Sequence, residues 1–377
     1  MYVLIVSRGY PSHTYKRNGI FEFDQAKALT KLGHKVVYAA IDMRSVRRKR
    51  KWWFESLEKE GVIIEAINVP IGALSKRLLR IGRTIALKKL YKKVLRIHGK
   101  PDIIHAHFID LGYSTVKALN GCNVPIVLTE HFSEMNQKNI SADMKKIGNY
   151  TYPRVDKLIT VSGHLSKNIE YHFGMQSKVI PNIVDIEKFS YKRKSNRMSK
   201  SAFSFISVGN LTSNKRMDHL IDAFYKAFGD NKSIKLYIFG EGPEKAKLIE
   251  LIRKYKCEDR IFLKGQVDRS CIAKQMEESD CFVLASQTET FGVAYIEAMA
   301  MGLPVISTKC GGPESFINDK NGVLVSVDDL NDLVNTMIFM YKNIEYYDRE
   351  LIASRAKQQY SSDAIAKELV AMYSNFL

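Results

Sequence analysis

The chain has 377 residues, of which 45% are hydrophobic and 26% charged, and a formal net charge of +18. This length is long for one hydrophobic core and suits two soluble globular domains. The five cysteines are odd in number and scattered without a Cys-x-x-Cys pair, which argues against a disulfide framework and for a reducing compartment. The N-terminal segment lacks the basic start of a signal peptide. No apolar run approaches the ~18 residues that span a bilayer.

The positive charge is concentrated in the first quarter of the chain. Residues 1–100 contain 23 Lys and Arg against 7 Asp and Glu, a net charge of +16, so the rest of the chain carries only +2. Such an excess predicts an anionic partner, which could be phospholipid, nucleic acid or a phosphorylated acceptor.

The first half of the chain alternates short apolar runs with amphipathic stretches. Predicted strands are 3–6, 35–40, 62–67, 103–107, 126–129 and 158–161. Predicted helices are 21–32, 76–97, 113–119 and 164–171, the last with Ser162 as N-cap. This β-α-β series predicts a parallel, doubly wound sheet. Residues 190–201 are rich in Lys, Arg and Ser and predict a surface connection.

The pattern then starts again. Predicted strands are 203–208, 235–239, 261–263, 281–284, 305–307 and 323–325. Predicted helices are 217–228, 244–255, 270–278, 293–301, 330–341 and 361–375. We therefore expect an α/β protein of two Rossmann-like, doubly wound domains, residues 1–185 and 186–360, that face a central cleft. Ligands of such sheets lie at the carboxyl ends of the strands.

Two carboxylates eight positions apart surround the start of a short apolar helix. Glu289 lies in the loop before Gly292, which opens the helix, and Glu297 lies about one and a half turns inside it. The peptide N–H groups near Phe291 and Gly292 point outward and suit phosphate. The pair suits a ligand with phosphate and many hydroxyls. The alternative is a first-turn Glu favoured by the helix dipole and a surface Glu.

This segment resembles the Glu-x7-Glu motif of the retaining GT-B glycosyltransferases of family 4, and further motifs follow in that family's order. They are Asn18-Gly19-Ile20-Phe21, Thr129-Glu130-His131, Pro181-Asn182-Ile183-Val184-Asp185, Val208-Gly209-Asn210 with Lys215, Phe239-Gly240-Glu241-Gly242-Pro243 and Gly311-Gly312-Pro313-Glu314. Their order and spacing cover nearly the whole chain. The resemblance implies the GT-B fold, transfer of a hexose-type sugar from a nucleotide diphosphate sugar with retention of configuration, and a C-terminal helix that packs on the first domain.

The resemblance implies three catalytic residues. His131 follows the strand at 126–129 and so lies at a carboxyl end, where it contacts the donor sugar. Lys215 follows the strand at 203–208 and neutralises the leaving diphosphate as a metal ion would. Glu289 contacts the transferred sugar. Without the family, an ordinary loop histidine and an exposed lysine are the alternatives.

The resemblance also implies a set of donor-binding residues. Gly19 lies against the diphosphate, where a side chain would obstruct close backbone approach, and Glu297 binds the ribose hydroxyls. The others are Asn210, Arg216, Gly240, Gly242, Val267, Phe291 and Gly292. Many members of the family carry Arg in place of Asn210, so that one cationic contact to phosphate is missing or comes from elsewhere.

The sequence gives little support for a metal or cofactor. It contains no Asp-x-Asp, and His105 and His107 share one face of a strand without a third ligand nearby. We expect no metal and no cofactor. The donor substrate is expected to be a UDP- or GDP-sugar.

Two basic segments of the first domain suggest a membrane surface. Arg47, Arg48, Lys49, Arg50 and Lys51 run into Trp52-Trp53-Phe54, and Trp favours the headgroup zone. The helix at 76–97 has nine Lys and Arg, among them Lys88 and Lys89, and no acid. Its apolar residues are Leu78, Leu79, Ile81, Ile85, Leu90, Val94 and Leu95. This apolar face either packs inside the domain or lies on anionic lipid. The alternative is a solvated charged face.

We interpret the chain as a cytoplasmic enzyme, peripherally attached to the inner face of the cell membrane. It would transfer a sugar to a lipid-linked saccharide for a bacterial surface polysaccharide such as a capsule. A nucleotide-sugar epimerase on the same fold is an alternative and would need no acceptor. A basic nucleic-acid-binding protein is a second alternative, but the aromatic residues interleaved across a basic sheet that it predicts are not found. We therefore expect no nucleic-acid partner.

Overall fold

The computed structural model describes residues 1–15, 18–47, 51–72, 74–192, 202–229 and 231–377. These residues form two compact units. The first comprises Met1–Ile183 and Ser362–Leu377, and the second comprises Val184–Ser361. The chain therefore passes from one unit to the other two residues before the expected boundary. Most of the predicted connection at 190–201 lies outside the described residues.

The first unit contains an eight-stranded sheet in the order β3-β4-β2-β1-β5-β6-β7-β8. Its strands are β1 Tyr2–Ser7, β2 Lys35–Met43, β3 Trp53–Lys59, β4 Val62–Val69, β5 Ile103–His107, β6 Ile126–Glu130, β7 Lys157–Thr160 and β8 Lys178–Val179. Its helices are α1 Ile20–Lys31, α2 Lys76–His98, α3 Ile109–Ala118, α4 Ala142–Thr151, α5 Gly163–Phe173 and, at the chain's end, α12 Ser362–Tyr373. Every residue of β1, β5 and β6 is buried, as expected for parallel strands that are covered on both faces.

The six strands predicted in this half are confirmed, and so is the N-cap of α5. The Ser162 hydroxyl accepts a hydrogen bond from the peptide N–H of Leu165 at 3.2 Å. The prediction of a wholly parallel sheet is wrong at one edge, because β3 pairs antiparallel with β4. Glu60 and Gly61 join the two strands with positive φ angles of 51° and 77°. This two-residue turn fits a tight hairpin.

The last helix belongs to the first unit, as the family resemblance implied. It buries Ile365, Leu369 and Tyr373 in the same hydrophobic cluster as Phe23 and Leu29 of α1. The Tyr373 hydroxyl also lies 2.5 Å from Nδ1 of His105 in β5. The end of the chain therefore completes the core of the unit in which the chain begins.

The second unit contains a six-stranded parallel sheet in the order β11-β10-β9-β12-β13-β14. Its strands are β9 Phe203–Val208, β10 Ile234–Phe239, β11 Ile261–Gly265, β12 Cys281–Leu284, β13 Val305–Thr308 and β14 Gly322–Val325. Its helices are α6 Met217–Phe228, α7 Lys245–Lys254, α8 Arg269–Glu278, α9 Val293–Ala300, α10 Leu330–Lys342 and α11 Arg349–Tyr360. All predicted strands and helices of this half are confirmed, and α11 is an additional helix.

Both sheets reverse their strand order next to their first strand. In the first unit this point lies between β1 and β5, and in the second it lies between β9 and β12. At such a point the loops after the two strands diverge and leave a crevice at the carboxyl ends, where α/β proteins bind ligands. The loops after these four strands are therefore the candidate ligand-binding loops of the two units.

Candidate functional site

In the second unit, a lysine and a glutamate meet at the point where the strand order reverses. Lys215 follows β9 and Glu289 follows β12, and the Lys215 ammonium lies 2.5 Å from Oε1 of Glu289. The Ser286 hydroxyl donates a hydrogen bond to the same oxygen at 2.9 Å. Both charged side chains remain partly accessible. The structure thus brings together two of the three predicted catalytic residues.

The two loops that carry this pair are joined by one asparagine. The Asn214 amide oxygen accepts hydrogen bonds from the Thr288 N–H at 3.2 Å and the Thr288 hydroxyl at 2.9 Å. Its amide nitrogen donates to the Thr288 carbonyl at 3.0 Å. Because Asn214 precedes Lys215 and Thr288 precedes Glu289, these bonds fix the backbone on both sides of the ion pair. Sequence reasoning did not identify Asn214.

Glu297 lies inside α9 and is only 6% exposed. Its carboxylate pairs with the guanidinium of Arg269, the first residue of α8. A buried carboxylate needs such a partner, and Arg269 also lies 5.4 Å from the ring centroid of Phe189. The predicted placement of the two glutamates, one in the loop and one inside the helix, is confirmed. Arg269 was missed, although the apolar surroundings of Glu297 signalled that a cation was required.

The glycine turn after β10 lies directly beside the loop that contains Asn210. A Cβ atom at Gly240 would lie 1.9 Å from the carbonyl oxygen of Gly209, so only glycine fits there. Gly242 approaches the Leu211 carbonyl in the same way. Asn210 is exposed at this contact. These predicted residues are therefore brought together at the carboxyl ends of β9 and β10.

Other predicted donor-binding residues have partners within the unit. Arg216 pairs with Asp328 and lies 3.4 Å from Asp218. The Phe291 side chain is buried against Phe316 and so offers a ligand only its backbone. The remaining two are Gly292, the N-cap of α9, and Val267, which is half-buried in the loop after β11.

In the first unit, His131 directly follows β6, as predicted. Its ring lies parallel to that of Phe21, with centroids 6.1 Å apart, and its Nε2 lies 3.0 Å from Nδ1 of His107. Burial lowers the pKa of His131 to about 3. The imidazole is therefore neutral at pH 7 and acts as a hydrogen-bonding group rather than as a cation. A small cavity beside it is lined by Gln25 and Asn182, among others.

The predicted histidine pair of β5 forms a buried network. The rings of His105 and His107 stack with centroids 4.4 Å apart. Nε2 of His105 lies 2.7 Å from the Thr129 hydroxyl, and its other ring nitrogen contacts Tyr373. Within the described ranges, no group of three His, Cys, Asp or Glu residues is arranged to hold a metal ion.

Glu130, the last residue of β6, holds the backbone at His131. Its Oε1 accepts the peptide N–H groups of His131 at 3.0 Å and Phe132 at 2.8 Å, and its Oε2 accepts the Tyr152 hydroxyl at 2.9 Å. Burial raises the pKa of Glu130 to about 7. Sequence reasoning treated this residue only as part of a motif.

Gly19 is required by packing within the first unit, and its expected contact with a diphosphate stays a prediction. It has a φ of +65°, and a Cβ atom there would lie 2.2 Å from the Gly9 carbonyl oxygen and 2.6 Å from the Tyr38 hydroxyl. Packing within the first unit therefore already requires glycine, without any contact to a diphosphate.

The aromatic end of the basic segment is exposed. Arg48, Lys49 and Arg50 lie outside the described residues, whereas Arg47 and Lys51 are exposed. Trp52 is half-buried, Trp53 is 62% exposed and Phe54 is 41% exposed. Trp53 and Phe54 begin the edge strand β3. They therefore present two large aromatic side chains to solvent next to a run of basic residues.

The predicted apolar face of α2 is wrong in part. The side chains that face the sheet are Ala86, Leu87, Leu90, Tyr91 and Val94. Other apolar residues of α2 are exposed, among them Leu95 and Ile97 near its end and three that we name the exposed apolar stripe: Leu78, Ile81 and Ile85. The spacing of three and four residues within this stripe places its members along one side of the helix. Lys88 and Lys89 are exposed on the following turn. No helix of the described chain is both long and apolar enough to cross a membrane.

Two family models match consecutive parts of the chain. The model described as Glycosyltransferase Family 4 matches residues 23–188, and the model described as Glycosyl transferases group 1 matches residues 188–359. The chain belongs to the GT-B glycosyltransferases of family 4 and group 1. The second model covers nearly all of the second unit, whereas the first model covers residues 23–183 of the first unit.

Curated relatives of this glycosyltransferase have varied acceptors in their names. The present chain is 26% identical over 290 residues to N-acetyl-alpha-D-glucosaminyl L-malate synthase of Bacillus anthracis, and the alignment covers 73% of this chain and 75% of that protein. It is 26% identical over 306 residues to a phosphatidylinositol N-acetylglucosaminyltransferase of Arabidopsis thaliana, covering 79% of this chain and 65% of that protein. The chain thus spans a little under two thirds of the second relative.

Solved structures confirm the fold. Sucrose-phosphate synthase of Thermosynechococcus elongatus aligns with a TM-score of 0.80 at 18% identity, covering 100% of this chain and 98% of that one. HepE of Anabaena in complex with UDP and glucose aligns with a TM-score of 0.74 at 19% identity, covering both chains completely. The lipopolysaccharide outer core galactosyltransferase WaaB aligns with a TM-score of 0.73 at 18% identity, also over both complete chains.

The raised pKa of Glu130 predicts a pH-dependent stability of the first unit. A carboxyl group whose pKa is about 7 in the folded unit and near its ordinary value in the unfolded chain stabilises the fold at low pH. This contribution is lost as the pH rises through 7. Between pH 5 and pH 8, we expect the unfolding free energy of the wild type to fall by roughly 2–3 kcal/mol more than that of Glu130→Gln.

Urea denaturation of both proteins at several pH values measures this difference. Both tryptophans, Trp52 and Trp53, lie in the first unit, so their fluorescence reports its unfolding. The other titrating groups are common to the two proteins and cancel in the comparison. Parallel curves for wild type and Glu130→Gln would show that Glu130 is ionised in the folded unit throughout this range.

Proposed function

We propose that this glycosyltransferase is a retaining, metal-independent hexosyltransferase. It would transfer a sugar from a UDP- or GDP-sugar to a lipid-linked saccharide in the synthesis of a bacterial surface polysaccharide. The observation that carries the proposal is the Lys215–Glu289 pair at the reversal of strand order in the second sheet. A cation at this place suits a diphosphate, and an adjacent carboxylate suits the hydroxyls of a sugar.

In the proposed reaction, an acceptor hydroxyl attacks the anomeric carbon on the face from which the diphosphate leaves. The bond between that carbon and the diphosphate oxygen breaks, the bond to the acceptor oxygen forms, and the acceptor proton passes to the leaving diphosphate. Lys215 stabilises the charge that develops on the diphosphate, and such preorganised electrostatic stabilisation is usually a large part of catalysis. Glu289 contacts the transferred sugar.

In this proposal, Glu297 binds the ribose of the nucleotide, and Arg269 positions Glu297. The carboxylate is held in one orientation by the guanidinium, so that its remaining acceptor positions can receive ribose hydroxyls. Support for a nucleotide donor comes from HepE, whose solved complexes contain UDP and UDP-glucose. The contact of His131 to the donor sugar, implied by the family, stays a prediction.

Support for a lipid-linked acceptor comes from the first unit and from the names of relatives. The phosphatidylinositol transferase and the lipopolysaccharide transferase are named for lipid acceptors, whereas the malate transferase is named for a small acid. In this chain, the exposed apolar stripe of α2 lies on a helix with nine basic residues and no acid. An apolar stripe with a basic surround suits adsorption to an anionic membrane.

The aromatic start of β3 extends this surface. The Lys93 ammonium of α2 lies 5.5 Å from the ring centroid of Phe54, which places β3 beside α2. The neighbouring Trp53 suits the headgroup zone. We propose that this surface binds the inner face of the cell membrane peripherally, so that the enzyme acts in the cytoplasm on an acceptor anchored in the bilayer.

The proposed donor site predicts the outcome of a transfer assay. Nucleotide sugars are supplied singly with a crude lipid extract as acceptor, and release of the nucleoside diphosphate and labelling of lipid are measured. We expect Lys215→Ala and Glu297→Ala each to lose about 2–4 kcal/mol of transition-state stabilisation in kcat/KM. We expect wild-type activity to persist in EDTA, because Lys215 supplies the positive charge at the diphosphate.

Lys342→Ala and Glu345→Ala are matched controls, because both residues are exposed in the second unit, and they should retain wild-type rates. Wild-type turnover by both site variants would refute the assigned donor site. Loss of activity in EDTA that Mg²⁺ or Mn²⁺ restores would refute metal independence. Interconversion of the nucleotide sugar without labelled lipid would indicate an epimerase.

The membrane surface predicts salt-dependent sedimentation with vesicles that contain phosphatidylglycerol. Each Lys or Arg near such a surface contributes roughly 1 kcal/mol, screened over about 10 Å at 0.1 M salt. Replacing the five basic residues at 47–51 by Gln should therefore release the protein from vesicles. The triple variant Leu78→Gln, Ile81→Gln and Ile85→Gln should weaken binding at every salt concentration, since it removes the apolar contribution.

The double variant Tyr346→Ser and Leu351→Ser removes exposed apolar groups of the second unit and should pellet like wild type. Both first-unit variants should lose labelling of lipid more than donor hydrolysis. If all variants pellet equally with these vesicles, the basic and apolar residues form an ordinary solvated face and the proposed membrane contact is wrong.

A further inference from the structure

Arg8 lies at the carboxyl end of the first sheet, at its reversal of strand order. It directly follows β1, and its guanidinium carbon lies 3.4 Å from the ring centroid of Phe108, which directly follows β5. Phe108 has a φ of +66°, which is uncommon outside glycine, and such conformations cluster at functional sites. The side chain of Arg8 is exposed, so its guanidinium is held on an aromatic face and remains accessible.

The guanidinium of Arg83, on α2, is a second cation that influences Arg8 electrostatically. Its Nε atom is buried and has no hydrogen-bond partner among the described residues. Burial lowers the pKa of Arg83, and the positive charges of Arg8 and Arg80 lower it further, against the opposing effect of Asp110 and Asp42. A guanidinium that is buried in this way is unfavourable unless an anion compensates it.

The acids near Arg83 are already engaged by other residues. Asp110 lies 3.4 Å from Nη1 of Arg80, and Asp42 lies 2.7 Å from Nε of Arg44. Among the ion pairs within the described ranges, none joins an acid to Arg83 or Arg8.

Arg80, one turn earlier on the same helix, shows the contrast. It forms two bonds to the carboxylate of Asp143, at 2.8 and 2.5 Å. Arg80 thus has the bidentate carboxylate partner of a structural arginine, whereas the neighbouring Arg83 has no such partner in the part of the chain that the structure describes.

Glu22 is the acid whose pKa responds to Arg8. Burial raises the pKa of Glu22, while the charge of Arg8 lowers it. Arg8, at the carboxyl end of β1, and Arg83, on α2, are thus two guanidinium groups that influence one another, and neither has an acid partner among the described residues.

We propose that Arg8 and Arg83 bind an anionic oxygen group of the acceptor, a phosphate or a carboxylate. The planar fork of guanidinium donors suits such groups. The assignment of this anion to the acceptor rests on the proposed function, whereas the anion site itself does not. A phosphate could come from a lipid-linked saccharide and a carboxylate from a small acid.

Binding of inorganic phosphate tests the site directly. Titration calorimetry is carried out on the Lys215→Ala protein, in which the donor-side cation is absent, with succinate as a carboxylate probe and chloride at equal ionic strength as the baseline. We expect Arg8→Gln and Arg83→Gln each to weaken phosphate binding at least tenfold. Arg77→Gln, at an exposed position of the same helix, should bind phosphate like the parent.

A thermal melt in anion-poor buffer separates binding from a structural role. Removing an uncompensated cation should leave the Tm of Arg83→Gln equal to or above that of the parent, whereas loss of a structural arginine would lower it. If Arg83→Gln does not fold, Arg83→Lys is used instead. This variant keeps the positive charge but loses the planar set of guanidinium donors, so it should still bind phosphate more weakly than the parent. Absence of phosphate binding in the parent, or unchanged binding in both Gln variants, overturns the site.

The source of the anion follows from which probe binds. Tighter binding of phosphate than succinate supports a phosphorylated acceptor, and the reverse supports a carboxylate acceptor. Hydrolysis of nucleotide sugars by the wild-type chain tests the proposed function separately. Phosphate binding through both arginines without any such hydrolysis refutes the proposed function and retains the anion site. Hydrolysis of nucleotide sugars without phosphate binding refutes the anion site and retains the proposed function.

Discussion

The ion pair between Lys215 and Glu289 holds the candidate donor site of the second unit together. It joins the loops after β9 and β12, and Asn214 fixes both loops at the adjacent residue. The pair therefore keeps a cation and an anion in place at the reversal of strand order before any ligand arrives. In the proposed reaction the diphosphate competes with Glu289 for the ammonium. Binding of the donor would then release the carboxylate towards the sugar.

The first unit uses the same topological position with different chemistry. Its strand order reverses between β1 and β5, where Arg8 and Phe108 follow the strands. Nearby, burial keeps His131 neutral, and Glu130 fixes its backbone. One unit thus presents a lysine and carboxylates, and the other presents arginines and a neutral imidazole. This division fits a nucleotide donor on the second unit and an anionic acceptor on the first.

The fold could be predicted because buried parallel strands are nearly continuous apolar runs, which are conspicuous in a sequence. The edge strand β3 mixes charged and aromatic residues and was missed. The helix α11 was also missed, because it buries only Ile352, Ala353, Ala356 and Tyr360 in an otherwise polar segment. For α2, periodicity identified a helix but not which apolar side faces the sheet. Contacts such as Arg269 with Glu297 join residues that are far apart in the chain. Their partners therefore could not be predicted from local patterns.

Equilibrium binding of UDP and GDP distinguishes the two members of the ion pair, because neutralising Lys215 and neutralising Glu289 should change the affinity in opposite directions. Lys215→Ala should weaken binding of the preferred nucleotide at least tenfold, since a cation at the diphosphate is lost. Glu289→Gln should tighten it by about five- to tenfold, because a competing carboxylate worth about 1 kcal/mol is neutralised. Unchanged affinity in both variants, or a change of the same sign in both, would contradict the assignment of the Lys215–Glu289 pair to the donor diphosphate.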